Sequence, residues 1–393
     1  MPIRVAPPPL SPDPTAAPAP APLLRLPEVN GLRAIAILAV LYQHYSWAQL
    51  GPFNPDSPIR GVWLPLRALL ESGWLGVNLF FVLSGLVLYL PYAQGQRRMA
   101  GWQDASSFLK HRMARLLPLY YLSGAVSLSL GVFAPFEVGR ADHWLQLLGF
   151  LTITFPFTAD SFMPPYNWVL WSLGIEIWFS VIFPALLWLY SRHRAATLAG
   201  ATLLACGLRA WGYSRMPMDG NLLNWITDSL PARLPDFLAG MLLADLVLRR
   251  TAILRRWASL VLGGGLVWGS VVLWHLWCVG AVPMVSAAGF TLLFDLGCLL
   301  GIGFLLSHPT PLNRLLRLAP VQVVGMMCYS LYVWHGMILY RLIMVPIPDF
   351  PDRLAALPVY LAAVFALAAL SYRYVEFGHR PAGELFLLPR RRG

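Results

Sequence analysis

Ionisable side chains inside long apolar runs are expensive in lipid, and by default they mark a site with a partner to be found. His44 lies in the apolar stretch 32–50, eleven positions after Arg33. At 1.5 Å per helical residue it sits roughly 16 Å beyond an arginine at the membrane edge. Glu176 lies eight residues into the stretch 168–190, roughly 12 Å from the opposite face of a hydrocarbon core about 30 Å thick. The two depths agree. A histidine and a carboxylate at one level suit a general base and its orienting acid, the carboxylate fixing the imidazole tautomer and stabilising the imidazolium. The structural alternative is that each caps a neighbouring polar group in a bundle.

Other polar groups share this setting. His335 ends the run Tyr329, Ser330, Leu331, Tyr332, Val333, Trp334, His335 and reads equally as site lining or as part of an aromatic belt. Asp295 interrupts the otherwise apolar run from Ala287 to Leu306, and a histidine or arginine of another helix is its expected partner. Asp236 follows Arg233 by three residues, the spacing of a helical ion pair. Arg112 and Arg115 share one helical face of the segment Lys110 to Pro118. Such a face either grips phosphates or anchors the chain at the cytoplasmic surface.

Helices across a bilayer must position these groups. Of 393 residues, 58% are hydrophobic and 12% charged, against about 25% charged in soluble domains. With a mean hydropathy of +0.60, apolar surface must face lipid. Eleven stretches approach the roughly 20 apolar residues of a spanning helix: 32–50, 74–93, 116–134, 144–158, 168–190, 195–212, 233–248, 257–277, 283–307, 321–345 and 355–376. Removing the short 144–158 as an interfacial or re-entrant segment collects Arg97 to Arg115, Arg192 to Arg194, Arg249 to Arg256, Arg314 with Arg317, and Arg390 to Arg392 on one side. The expectation is an all-α bundle of about ten transmembrane helices with both termini cytoplasmic, in the cell membrane.

The formal charge is +11, with Lys110 the only lysine among 29 basic residues. These lie in short clusters between apolar runs rather than on one soluble face, which argues against a nucleic-acid partner. Cys206, Cys278, Cys298 and Cys328 stand singly and read as small hydrophobes, so no metal site is expected. Residues 1–27 hold ten prolines among alanines and read as a disordered cytoplasmic tail, 28–381 as the membrane domain and 382–393 as a basic cytoplasmic tail. The stretches between apolar runs are short, so the chemistry is expected within the membrane or at its edge.

Several ordered motifs together resemble the acyltransferase 3 family of membrane acyltransferases. Arg33 and His44, with ten residues between them, match its signature on the first span. Phe80, Phe81, Val82, Leu83, Ser84, Gly85 are similar to its second-span motif, and Phe108 through Pro118 to its arginine-rich segment. Trp171, Ser172, Leu173, Gly174, Ile175, Glu176 with Phe179 and Pro184 resemble its Trp-Ser-Leu-x-x-Glu element. Arg233 to Gly240 resemble a later segment and Tyr329 to His335 one near the C-terminus. The likeness covers about residues 28 to 381. In departure from the family pattern, His111 stands where another arginine is common, Cys328 replaces a small hydroxyl residue, and the proline expected soon after Glu376 arrives at Pro381.

The resemblance implies transfer of an acyl group, most often acetyl, from cytoplasmic acyl-CoA to a hydroxyl, commonly of a sugar or lipid-linked glycan. Acyl-CoA is then a substrate, and no permanently bound cofactor is expected. His44 becomes the base on the acceptor hydroxyl, Glu176 its orienting partner, and Arg112 and Arg115 the holders of donor phosphates. Arg33 contacts the donor or pairs with Glu376. Ser84, Ser172, Tyr332 and His335 are candidate lining residues, and the spacing does not choose an oxyanion donor among them. Direct attack and an acyl-histidine intermediate both fit. The rival class is a proton-coupled transporter or flippase with His44, Glu176 and Asp295 as a relay; the sequence shows no internal repeat of the kind many transporters carry. The acceptor would meet the loops 51–73, 135–167 and 211–232. Acyl chain length and oligomeric state are not written in the sequence.

Overall fold

The computed structural model describes residues 26–50, 61–133, 136–215, 225–283, 286–347 and 350–378. The expected tails fall outside these residues, apart from Leu26 and Pro27. All regular structure among the described residues is helical, as expected. Helix α1 spans Pro27–Leu50, α2 Leu64–Leu70, α3 Leu75–Ala93, α4 Trp102–Leu130, α5 Ala141–Thr152, α6 Trp171–Tyr213 and α7 Leu230–Leu248. Helix α8 spans Trp257–Cys278, α9 Ala287–Ser307, α10 Pro311–Leu316, α11 Ala319–Met326, α12 Cys328–Ile338 and α13 Phe350–Ser371.

Five helices among the described residues are long and apolar enough to cross a membrane, or six if α11 and α12 make one broken span bent by 70°. The chain is a multi-pass membrane protein. Helix α7 falls short of that apolar standard because it carries Arg233, Asp236 and Asp245. The stretches 168–190 and 195–212 run together as the 43 residues of α6, interrupted at His193 (φ −133°, ψ 48°). That length exceeds one crossing about twofold, and the helix is kinked at His193. The segment around 144–158 forms α5, whose twelve residues rise roughly 18 Å and fall short of the hydrocarbon thickness. Leu145, Leu148 and Leu151 of α5 are exposed, as suits a helix lying against lipid.

Close helix crossings hold the bundle. Helix α3 packs along α7, α8 along α9, and α1 along α11. At the α3–α7 crossing a Cβ on Gly240 would lie 1.9 Å from the Val82 carbonyl oxygen, and one on Gly85 would lie 2.0 Å from that of Phe237. Only glycine permits this approach. Phe237 stacks on Phe179 of α6 at 3.8 Å between ring centres, with Phe81 tilted beside it at 4.8 Å, so the crossing is sealed by aromatic packing.

Polar ties pin the two ends of the bundle. At one end Glu28 accepts hydrogen bonds from Asn313 Nδ2 (3.0 Å) and Arg317 Nε (2.7 Å), while Gln322 Nε2 donates to the Pro27 and Leu316 carbonyls. At the other, Tyr45 donates to the Arg353 carbonyl, and Glu71 joins Arg67 to His275.

Candidate active site

A cavity of about 790 Å³ opens among α1, α3, α4, α6 and α12, within the range of small-molecule sites. Each helix contributes one face at helical spacing. Helix α4 supplies Asp104, Ser107, Phe108, His111, Arg112 and Arg115; α3 supplies Phe80, Ser84, Val87 and Pro91. Arg33 enters from α1, Arg97 and Arg98 from the α3–α4 connection, Ser172 and Glu176 from α6, and Cys328 and Tyr332 from α12. Five guanidinium groups therefore line one cavity. Arg97 and Arg98 on its wall are exposed, whereas Ser172 and Tyr332 are buried.

The arginines are not equivalent. Arg112 donates through Nη2 to Glu176 Oε1 (2.8 Å) and through Nε to Ser180 Oγ (3.2 Å). Ser84 Oγ donates to the same carboxylate oxygen at 3.1 Å, and Ser180 Oγ donates one turn back to the Glu176 carbonyl. Arg115 Nη2 reaches Glu376 Oε1 at 3.5 Å, and Ser330 Oγ donates to Glu376 Oε2 at 3.1 Å. The expected Arg33–Glu376 pair is thus replaced by Arg115–Glu376. Arg33 has no hydrogen bond or ion pair among the described residues.

The structure does not join His44 to Glu176. Equal depth places two residues on one level, but the rotation of each helix decides which way they face, and Glu176 meets α3 and α4. His44 meets His335 instead: His335 Nε2 lies 3.2 Å from His44 Nδ1. His44 Nδ1 also lies 2.9 Å from the Val40 carbonyl oxygen, and His335 Nδ1 lies 2.6 Å from that of Tyr332. Trp168 packs edge-on against the His44 ring at 4.8 Å. His335 is fully buried.

A polar latch ties Tyr332 of the cavity wall to the start of α6. The Tyr332 hydroxyl lies 2.5 Å from the Val169 carbonyl oxygen and 2.7 Å from Ser172 Oγ. A carbonyl only accepts, so Tyr332 donates to Val169 and Ser172 donates to Tyr332. The ring of Tyr332 stands 5.4 Å from that of His335. Asn167 Nδ2 donates to the Val333 carbonyl (2.9 Å), fastening the chain before α6 to α12. Ser84, Ser172, Tyr332 and His335 thus stand in one continuous region.

Three cavity residues were not singled out from the sequence as donor contacts: Arg97, Arg98 and His111. Arg97 and Arg98 read there only as part of the cytoplasmic basic cluster, and no spacing marks them further. The buried cluster around Asp236 lies elsewhere. Asp236 pairs with Arg233 (3.4 Å) and Arg209 (3.5 Å) and accepts from Asn78 Nδ2 (3.2 Å), while Arg233 also pairs with Asp228. The Arg233–Asp236 pair follows the helical spacing. Asp295 adjoins Asp236, and neither of its oxygens accepts a hydrogen bond from a histidine or arginine among the described residues.

Comparison with known proteins adds the family. The chain is similar to the peptidoglycan O-acetyltransferase OatA of Listeria monocytogenes, at 25% identity over 380 residues, covering 91% of this chain and 56% of the relative. It is also similar to the O-acetyltransferase OatA of Staphylococcus aureus strain NCTC 8325, at 25% identity over 395 residues, covering 94% of this chain and 60% of the relative. The chain spans little more than half the length of these curated relatives. No solved structure matches it. The profile described as an acyltransferase domain matches residues 26–373, and the chain belongs to the acyltransferase 3 family.

Proposed function

We propose that this protein is an O-acyltransferase that takes an acyl group, acetyl in the first instance, from cytoplasmic acyl-CoA and places it on a hydroxyl of a cell-envelope glycan. The observation that carries the reading is the cavity itself. Its wall holds five arginines, among them Arg33 with no hydrogen bond or ion pair among the described residues, and it includes Tyr332, whose ring stands beside that of His335. Guanidinium groups match phosphate oxygens in geometry and charge, so the phosphates of CoA belong at Arg33, Arg97, Arg98, Arg112 and Arg115. The pantetheine arm then extends inward toward Ser172 and Tyr332. The relatives' names supply the acceptor class: one of them is a peptidoglycan O-acetyltransferase.

In this mechanism His44 removes the proton from the acceptor hydroxyl as its oxygen attacks the thioester carbonyl. The carbon–sulfur bond breaks, and the CoA thiolate takes the proton back from His44, leaving an ester and a free thiol. With ten crossings, as the sequence is read, both termini and the exposed arginines would lie on the cytoplasmic side. The common end of Glu28, Arg317, Arg115 and Glu376 supports this sidedness, as does the opposite end holding Tyr45, Arg353, Glu71 and His275.

The test is release of CoA thiol by the detergent-purified protein given acetyl-CoA and a panel of glycan and lipid-linked acceptors, beside His44→Ala. Release that needs both acceptor and His44 is the expected result. An undiminished rate in a folded His44→Ala protein overturns the role of His44. No thiol release together with no binding of acetyl-CoA overturns acyl transfer in favour of transport.

A further inference from the structure

We propose that His335 is a positioning residue that holds His44 in its Nδ1–H form, so that Nε2 of His44 is the nitrogen that takes the acceptor's proton. The inference rests on the reading of His44 as the base. It follows from which atoms in the chain of contacts are able to donate. The Tyr332 carbonyl oxygen, 2.6 Å from His335 Nδ1, only accepts, so that nitrogen carries the hydrogen. A neutral imidazole has one N–H, which leaves a lone pair on His335 Nε2. That lone pair faces His44 Nδ1 at 3.2 Å. Two lone pairs in contact repel, so His44 Nδ1 carries a hydrogen. The Val40 carbonyl oxygen, 2.9 Å from the same nitrogen, requires the same assignment. The lone pair of His44 is therefore on Nε2.

The arrangement replaces the carboxylate of a conventional triad by a second imidazole. Among the described residues no Asp or Glu makes a hydrogen bond or ion pair with either ring; Glu176 is engaged by Arg112 and Ser84. When His44 Nε2 takes a proton, its Nδ1–H bond to His335 becomes charge-assisted and strengthens. The contact that selects the tautomer thus also stabilises the imidazolium. Packing holds the second imidazole in turn. His335 is fully buried, and the carbonyl that orients it belongs to Tyr332, whose hydroxyl is tied to Val169. Next to it a Cβ on Gly336 would lie 2.6 Å from Val169 Cγ1, so the turn carrying Trp168 and Val169 sits directly on the histidine-bearing turn.

The experiment compares His335→Gln, whose amide oxygen is able to accept from His44 Nδ1, with His335→Leu, which is not, in the thiol-release assay with full-length protein. Loss of tautomer control should lower kcat in the leucine variant by about 10² or more while KM for acetyl-CoA stays within about twofold, and glutamine should recover at least about a tenth of the rate. A merely structural role would not produce that split or that rescue. Nitrogen-15 spectra of histidine-labelled wild-type protein, with the His44 signals assigned by difference from His44→Gln, should show Nδ1 protonated and Nε2 not. Equal rates in the leucine and glutamine variants, or a wild-type spectrum with Nδ1 unprotonated, overturn the proposal. If both variants misfold, a wild-type spectrum with Nδ1 unprotonated still overturns the proposal. An active His44→Ala protein removes the base itself. A strict need for His44 with indifferent His335 variants removes only the positioning role.

Discussion

Glu176 shows how one side chain's role changes with its neighbours. Beside a histidine it would be an orienting acid; beside Arg112 and Ser84 it is a carboxylate paired with a guanidinium of the cavity wall, and in the proposed function it would compete with the donor's phosphates. Glu176→Gln keeps an acceptor for Arg112 but removes one negative charge from the cavity. KM for acetyl-CoA should therefore fall about threefold or more, with kcat within about threefold; initial rates over a donor series check this. A kcat loss of about 10² instead would restore the orienting role. Arg112→Ala has the opposite sign, because it removes charge-assisted bonds and leaves Glu176 facing the donor. KM should rise about 10- to 100-fold, and unchanged donor dependence would return Arg112 to a surface anchor.

Among the elements, the α3–α7 crossing matters most to the cavity because α3 carries Phe80 and Ser84 into it. Gly240 meets the Val82 carbonyl, a backbone atom that cannot rotate away. Gly240→Ala should destabilise the protein by about 1–3 kcal/mol as the helices separate, read as a lower midpoint of thermal unfolding in detergent. The buried cluster on α6, α7 and α9 predicts a larger loss without a catalytic signature. Arg209, 1% exposed, bonds Thr291 and pairs with Asp236, so Arg209→Leu leaves buried carboxylates uncompensated and should cost about 3–5 kcal/mol. Any folded fraction should keep the wild-type KM for acetyl-CoA, since the cluster lies off the cavity wall. A changed KM with unchanged stability would show that the cluster belongs to the site.

For the whole molecule the prediction is sidedness. The cavity wall at Arg98 and the α5 approach at Arg140 must face opposite compartments if acyl groups leave the cytoplasm. In a background with the four native cysteines replaced, Arg98→Cys should react with a membrane-impermeant maleimide only from the cytoplasm, and Arg140→Cys only from outside. Labelling of both from one side would overturn the ten-crossing arrangement. Incubation with acetyl-CoA and no acceptor divides the two chemical routes. One equivalent of thiol released per protein marks an acyl-histidine intermediate, and none marks direct attack.

Composition and local spacing determined much of this protein. Apolar runs of membrane-spanning length require helices because lipid offers backbone groups no hydrogen-bond partner. One-dimensional spacing also located the arginine-bearing face of α4, His44 and Glu176, since a helix converts residue number into depth and azimuth on its own axis. It did not determine which faces meet. Helix rotation and tilt are settled by close packing between segments far apart in sequence, as where Gly85 and Gly240 let α3 and α7 approach, or where Gly325 of α11 presses on the Asn30 carbonyl of α1. That packing turned Glu176 toward Arg112, gave Glu376 to Arg115, and brought the exposed arginines of the α3–α4 connection to the same cavity. The bend between α11 and α12, 70°, lies just before the turns that carry Tyr332 to the latch and His335 to His44, 291 positions away in sequence.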